Sequence, residues 1–450
     1  VFPNHIETPL PQFQRDIFNS AINFDRSAIA APRGSGKSTT VDLIILAYYS
    51  LFNYSPFSLL ISDTATQALQ HLETLKNELE NNEIIKFLFG DVMGDVWGAE
   101  RLFIKTQYGE SLILPKGAGQ KIRGLKFRSF RPHLVVVDDL ENEELVESED
   151  RRNKLARWFK FNMLQGLSKE NSKVIMLGTV LHENSLLNTI VNRKDAVFSS
   201  WHLQKYKAIN DNGTSFWPSR FPIEELRRMR DDPTHPKYCG TIVFSQEYQN
   251  EPISDIDRII KESWLKYYKV SNLKAVEDWR KGGKIIGGVD PAISKEEKSS
   301  YFAFTTIFHK DGHYKHLETI RGKFDAPEQI RILIDCFTRW NHDIIGIESI
   351  AYQKALSQMV KSEAAKQGKY PRISQIFTDK DKRRRLMALS SRFEGGFVEL
   401  NEEDKETANL VKEILAFPAE PNDAIDSLML AMETAGKPLA RVFKEKPAGF

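Results

Sequence analysis

The segment Ala31-Pro32-Arg33-Gly34-Ser35-Gly36-Lys37-Ser38 brings together the residue types that hold a polyphosphate. Backbone N–H groups of a Gly-rich turn at a helix start cradle phosphate oxygens, a lysine reaches the β/γ oxygens, and a hydroxyl ligates Mg²⁺. Lys37 and Ser38 fill the last two roles, and Thr39 extends the loop. Ala31 stands where the pattern has its first Gly, but the apolar strand before it and the helical stretch after it supply the context that the motif requires. About 100 residues later a strand at 134–137 ends in Asp138-Asp139. A carboxylate at that place can hold the nucleotide's Mg²⁺ through water, which assigns Asp138. The base that activates the attacking water is then Asp139 or Glu141, with Asp139 favoured because it adjoins the metal carboxylate.

Three further features bear on the same chemistry. A strand at 174–177 runs into Gly178-Thr179, whose hydroxyl could sense the terminal phosphate. Gln14, about a dozen residues before the loop strand, carries an amide able to read the two-sided edge of adenine. Arginines matter because a guanidinium at the transferred phosphoryl group can raise the rate by about 10³ or more. Arg33 lies inside the loop, and Arg123, Arg128 and Arg131 crowd the segment before Asp138.

A second set of acids occupies the other half of the chain. Asp290 ends an apolar strand in Gly287-Gly288-Val289-Asp290, and Glu348 ends another in Ile345-Gly346-Ile347-Glu348. If those strands are neighbours, the two carboxylates meet at one edge, where divalent ions could span attacking and leaving oxygens of a phosphodiester. Asn422-Asp423-Ala424-Ile425-Asp426 adds two acids at i and i+3 on one helical face. Asp423 is the third ligand, with Asp426 beside it. Ligands made only of oxygen favour Mg²⁺ or Mn²⁺ over zinc. The basic run Asp379-Lys380-Asp381-Lys382-Arg383-Arg384-Arg385 could contact phosphates.

The elements that position these residues follow from periodicity. Strands at 27–31, 58–62, 111–115, 134–137 and 174–177 alternate with amphipathic helices, which predicts an α/β unit built on a parallel sheet. The alternation fades between 181 and 255, a lid or linker with a charged helix at 222–231. From 283 the order is three strands (285–289, 301–308, 313–320), helix 326–340, strand 343–347, helix 352–366 and strand 373–377. Helices at 380–394, 403–415 and 423–435 follow. That order resembles the ribonuclease H-like fold with its mixed sheet. The expected domains are an ATPase core at 1–180, a lid or linker at 181–255, the ribonuclease H-like unit at 256–436 and a basic tail at 437–450.

Composition agrees with this plan. At 450 residues the chain exceeds what one core supports. With 41% hydrophobic and 28% charged residues it reads as globular and soluble. A net charge of +2 does not by itself announce a nucleic-acid partner. Cys239 and Cys336 have no partners at metal-ligand spacing, no stretch matches a membrane span, and residues 1–8 lack a secretory pattern, so a cytoplasmic protein is expected.

Taken in order, the motifs resemble those of the large terminase subunit of tailed bacteriophages. The resemblance rests on Ala31 to Ser38 with its internal Arg33, on Ile122-Arg123-Gly124 and Arg131-Pro132 leading into Asp138-Asp139, and on Leu177-Gly178-Thr179. It continues through Asp290-Pro291, Glu348-Ser349 with Tyr352-Gln353, Asp379-Lys380 with Arg385, and Phe417-Pro418 before Asn422-Asp423-Ala424-Ile425-Asp426. It implies an ASCE-type ATPase that drives double-stranded DNA into a procapsid and a nuclease that cuts concatemers. ATP and Mg²⁺ (Mn²⁺ at the nuclease) are the implied cofactors. The implied partners are DNA, a small terminase subunit, a portal protein and further copies in a ring, within the host cytoplasm. Asp139 where the family commonly has Glu, and Asn422 where it often has Asp, are departures. The alternatives are a DNA-repair helicase with an appended nuclease, or a regulatory P-loop protein with an inactive nuclease fold.

Overall fold

The computed structural model describes residues 2, 10–98, 100–252, 259–270, 280, 282–292, 301–348, 351–376, 381–419 and 421–436, without the side chains of 147 and 351–355. The chain divides into two compact units, Val1–Asp257 and Arg258–Phe450.

The first unit holds eight strands: β1 Arg26–Ala30, β2 Phe57–Ser62, β3 Met93–Gly98, β4 Arg101–Thr106, β5 Gly109–Gly117, β6 Leu134–Asp138, β7 Lys173–Gly178 and β8 His202–Lys205. Their order across the sheet is β3-β4-β5-β2-β6-β7-β1-β8. The six from β5 to β8 run parallel, as alternating strands and helices predict, and β3 and β4 add an antiparallel margin. That margin escapes a pattern search because β3 is mostly exposed and carries no alternation.

Residues alternate between the two faces of the central strands, as the period-2 pleat demands. Ile29, Leu60 and Val136 feed one apolar core, while Ala28, Leu59, Ile61, Val135 and Val137 feed the other. Burial on both faces explains why these strands read as continuous apolar runs. All the parallel strands end at one edge, and β7 separates β1 from β6.

The second unit is a seven-stranded mixed sheet. Its strands are β9 Lys266–Tyr268, β10 Lys284–Asp290, β11 Phe302–Lys310, β12 His313–Gly322, β13 Ile344–Glu348, β14 Ile373–Ile376 and β15 Val398–Asn401. The order is β14-β13-β10-β11-β12-β15-β9, with β11 antiparallel to both its neighbours and β10, β13 and β14 parallel. Helices lie on both faces, as expected for the ribonuclease H-like arrangement read from the sequence. The short strands β9, at the sheet edge, and β15 beside it are absent from that reading. The helix read at 423–435 is found at Asp423–Ala435 and carries twelve buried residues.

Two facing glycines set where that helix lies. Gly288 of β10 and Gly346 of β13 are register partners. A Cβ at Gly288 would stand 2.2 Å from the Ser427 carbonyl oxygen and 2.3 Å from the Ala431 nitrogen; one at Gly346 would stand 2.0 Å from Thr434 Oγ1. Only a residue without Cβ admits the helix so close. Asp290 and Glu348 lie two residues on, on the same face of the sheet. The helix therefore brings its first turn, with Asp423 and Asp426, over the strand ends.

Candidate functional site

In the first unit the phosphate loop, Asp138 and Thr179 meet at the edge where the parallel strands end, the usual ligand edge of an α/β sheet. The Ala31 N–H donates to the Gly178 carbonyl (3.0 Å) and the Asp139 N–H to the Leu177 carbonyl (3.1 Å), which ties the three strand ends together. Gly34 and Gly36 adopt φ of 73° and 70°, the left-handed conformation that a tight anion-binding turn requires. After Ser38 the chain is π-helical over Thr39–Ile45 before becoming α-helical at Leu46–Leu51.

Lys37 is buried, donates to Thr179 Oγ1 (3.1 Å) and forms an ion pair with Asp139 Oδ2 (3.5 Å). Asp139 itself sits at φ 43°, a strained position that aspartate tolerates better than most residues. Glu141 points elsewhere: its two oxygens accept the N–H groups of Leu186 (2.6 Å) and Leu187 (2.9 Å) at the start of a short helix. Burial pushes Glu141 up to about 7.

Asp138 is wholly buried, and next to it lie two residues that sequence reasoning missed. Asp42, on the helix after the loop, accepts a 2.5 Å contact from His71 Nδ1, and the same nitrogen is 3.3 Å from Asp138 Oδ2. Burial raises Asp42 to about 7, opposed by its hydrogen bond with Asp138 and by Lys37 and reinforced by the charge of Asp139; burial raises Asp138 well above the usual range, reinforced by Asp42 and Asp139 and opposed by Lys37. Beyond His71 and one another, the buried oxygens Asp138 Oδ1 and Oδ2 and Asp42 Oδ1 have no hydrogen-bond partner. Unpaired buried carboxylate oxygens are costly unless a cation or proton compensates them. These residues therefore fit a divalent ion. No motif advertises Asp42 or His71, because a polar residue on an otherwise ordinary helix gives no signal at sequence level.

Other predicted residues take more structural places. Gln14 is buried, and its amide donates to the Ser35 carbonyl (2.8 Å), so it braces the loop. Pro32 and Ser35 are buried, and Ser38 and Thr39 are half-buried. Arg33 is exposed and pairs with Glu247 at 3.4 Å. Arg123, Arg128 and Arg131 are all exposed, with Arg128 paired to Glu110. A cavity of about 600 Å³ opens beside Arg33 and Gly34, walled by Phe221, Met229 and Tyr248 and rimmed by Arg220 and Lys237. Its size and mixed lining suit a small ligand.

In the second unit Asp290 and Glu348 close the adjacent parallel strands β10 and β13. Burial drives Asp290 well above the usual carboxylate range, with Asp426, Asp423 and Glu348 adding repulsion and Lys382 opposing it. All four predicted acids therefore share one electrostatic site. Asp423 and Asp426 are buried, and burial raises both. Glu413 accepts the N–H groups of Ala424 and Ile425, capping the helix, and pairs with Arg321 at 3.3 Å. Asp426 Oδ1 is a buried oxygen without a hydrogen-bond partner, and the all-oxygen donor set fits Mg²⁺ or Mn²⁺. Ser349, Asp379, Lys380, the tail at 437–450 and the side chains of Tyr352 and Gln353 lie outside the described residues.

The chain thus carries a glycine-turn loop at the strand ends of one α/β sheet and a carboxylate cluster at the strand ends of a second, mixed sheet. Compared by structure, the chain shares this fold with the large terminase of a thermophilic bacteriophage, at 10% identity and a TM-score of 0.57 over 95% of this chain and 99% of that one. The same terminase in complex with ADP gives 12% identity and a TM-score of 0.56 over 95% and 98% of the two chains. Its complex with ATP-gamma-S gives 11% and 0.54 over 94% and 98%. Compared by sequence, the chain matches no protein-family model and no curated protein. Among the described residues, no helix is long and apolar enough to cross a membrane.

Proposed function

We propose that the chain is a large terminase: an ATP-driven motor that packages double-stranded phage DNA and cuts it by metal-dependent hydrolysis. The observation that carries the reading is the presence, in one chain, of Lys37 in contact with Thr179 and Asp139 and of Asp290 clustered with Glu348, Asp423 and Asp426. In this reading the loop amides and Lys37 bind the phosphates of ATP, and Ser38 and Asp138 hold its Mg²⁺. The ion, when bound, neutralises charge on the transferred phosphoryl group. Asp139 orients and deprotonates the attacking water, while Thr179 fixes Lys37. Arg33 and Arg128 are the candidate guanidinium groups, Arg128 acting on a neighbouring copy in a ring. In the second unit Asp290, Glu348, Asp423 and Asp426 hold Mg²⁺ or Mn²⁺ against the scissile phosphate. The portal, a small terminase subunit and double-stranded DNA are the partners.

The test is ATP turnover with and without linear duplex DNA, portal and procapsids, scored together with protection of the DNA from nuclease. Stimulation accompanied by protection is expected. Unwinding of a forked duplex without protection would replace the motor reading with a repair helicase.

The cavity beside Arg33 takes the nucleoside in this reading. Phe221→Leu is expected to weaken ATP binding about tenfold, the scale of one lost base–aromatic stack, while leaving inorganic tripolyphosphate binding unchanged. Fluorescence competition measures both, and equal weakening would place the base elsewhere.

A further inference from the structure

We infer that Asp42, His71 and Asp138 form a site for a first-row transition dication of the Mn²⁺ to Zn²⁺ series, bound directly and without nucleotide. The inference does not rest on the ATPase reading: there Asp138 meets the nucleotide's Mg²⁺ through water, and here it shares an ion with a ring nitrogen.

The three side chains come from three elements. Asp42 lies on the π-helical turns after the phosphate loop, His71 on the helix Ala65–Asn81, and Asp138 at the end of β6. Among the described residues, they are the set of three acid, histidine or cysteine side chains whose ligand atoms all lie within 4.8 Å of one another. His71 Nδ1 stands 2.5 Å from Asp42 Oδ2 and 3.3 Å from Asp138 Oδ2. Metal bonds of about 2.0–2.2 Å place two ligands of one ion roughly 3–3.5 Å apart, so Asp138 already fits and Asp42 has to give by about half an ångström.

Burial and charge leave this site in need of a cation. Asp138 is 0% exposed and Asp42 4%, and beyond His71 and one another Asp42 Oδ1 and both Asp138 oxygens have no hydrogen-bond partner. Lys37, the other cation that acts on them, is bonded to Thr179 and paired with Asp139. Two buried carboxylates held together in this way need a proton or a metal ion between them. The imidazole decides which ion fits. A ring nitrogen beside two carboxylates suits a transition dication, whereas Mg²⁺ keeps to oxygen ligands. The His71 side chain is 23% exposed, so the ring side of the site is open to solvent. On binding, Nδ1 gives up its proton to solvent and the ring keeps the one on Nε2.

Mn²⁺ is titrated into the full chain without nucleotide, and pulsed electron paramagnetic resonance reads whether nitrogen is bonded to the ion. The acids of the second unit take Mn²⁺ in the nuclease reading, but they have only oxygen to offer and give no such coupling. Nitrogen coupling is expected in wild type and in Asp290→Ala, and its loss in His71→Gln. Zn²⁺ should displace the coupled ion and excess Mg²⁺ should not. Asp42→Asn, which keeps the ring, is expected to weaken the coupled site by more than about tenfold, the least that removing even an outer partner of a metal site costs. No coupling in wild type, coupling retained in folded His71→Gln, ready displacement by Mg²⁺, or unchanged affinity in Asp42→Asn would overturn the site and leave a proton between the two acids. If His71→Gln does not fold, the Asp42→Asn comparison decides. ATP turnover is no part of the readout, so a negative result leaves the ATPase reading standing.

Discussion

Asp139→Asn is expected to lower ATP turnover by about 10²–10⁴-fold, the range for loss of a positioned general base, with ATP binding retained. Asp139 is the acid at the end of β6 that faces the phosphate loop, 3.5 Å from Lys37 Nζ, with a side chain still 37% exposed and so open to water. Glu141→Gln should behave differently, because both Glu141 oxygens accept helix N–H groups. An amide oxygen keeps one of those bonds and loses the other, a cost of about 1 kcal/mol in stability, with turnover per folded molecule unchanged.

The pH dependence of the deficit gives a second check. Glu141 is raised from 4.5 to about 7 by burial, so the folded chain keeps a proton that the unfolded chain has released. Its contribution is complete below about 4.5 and is lost as pH rises through about 7. The amide does not titrate. The melting-temperature difference between Glu141→Gln and wild type should therefore shrink between those two pH values. Loss of hydrolysis in Glu141→Gln, with Asp139→Asn active, would reverse the assignment.

The sequence leaves these two acids as alternatives for one role, and the structure gives them different surroundings: Asp139 lies beside Lys37, while both Glu141 oxygens accept helix N–H groups. The general pattern holds elsewhere. Lys37, Asp138, Thr179, Asp290 and Glu348 are legible because each sits beside an apolar strand, and strand ends of a parallel sheet converge on one edge. Asp423 and Asp426 are legible through i, i+3 spacing. What cannot be read is contact between helices distant in the chain. His71 reaches Asp42 and Asp138 only because the helix Ala65–Asn81 packs beside the loop helix, and nothing in the local pattern of either helix encodes that meeting. Gln14 shows the complementary limit. Its residue type suits adenine, but its position, under the Ser35 carbonyl, makes it a brace for the loop. Lys382 belongs to a basic run that reads as a phosphate-facing surface, whereas the helix start turns this one lysine onto Asp426. The antiparallel β3 and β4 and the short β9 and β15 lack the buried alternation that marks a strand in sequence.

The second large effect is a double dissociation. Lys37→Ala is expected to reduce ATP turnover by about 10³-fold or more, the scale of losing a cation at the transferred phosphoryl group, while plasmid nicking in Mn²⁺ survives. Asp290→Ala should abolish nicking while ATP turnover survives. The Lys37 change acts twice. It removes a ligand of the phosphates, and it withdraws the positive charge that holds Asp42 and Asp138 down against their burial. Both acids then favour their protonated forms, which cannot hold a metal. Asp290 has no substitute in its own unit: it alone closes β10, between the strand that ends in Glu348 and the helix that carries Asp423 and Asp426. Its loss would take the middle acid from between Glu348 and the two helix acids, leaving a two-ion clamp incomplete. Parallel assays of phosphate release and of supercoiled plasmid conversion, each with and without chelator, measure both activities in both variants. Because the two sites rest on separate apolar cores, equal loss of both activities in folded Lys37→Ala would mean that nicking is driven by ATP turnover, equal loss in folded Asp290→Ala that turnover depends on the second site, and either would end the division of labour between the two sheets.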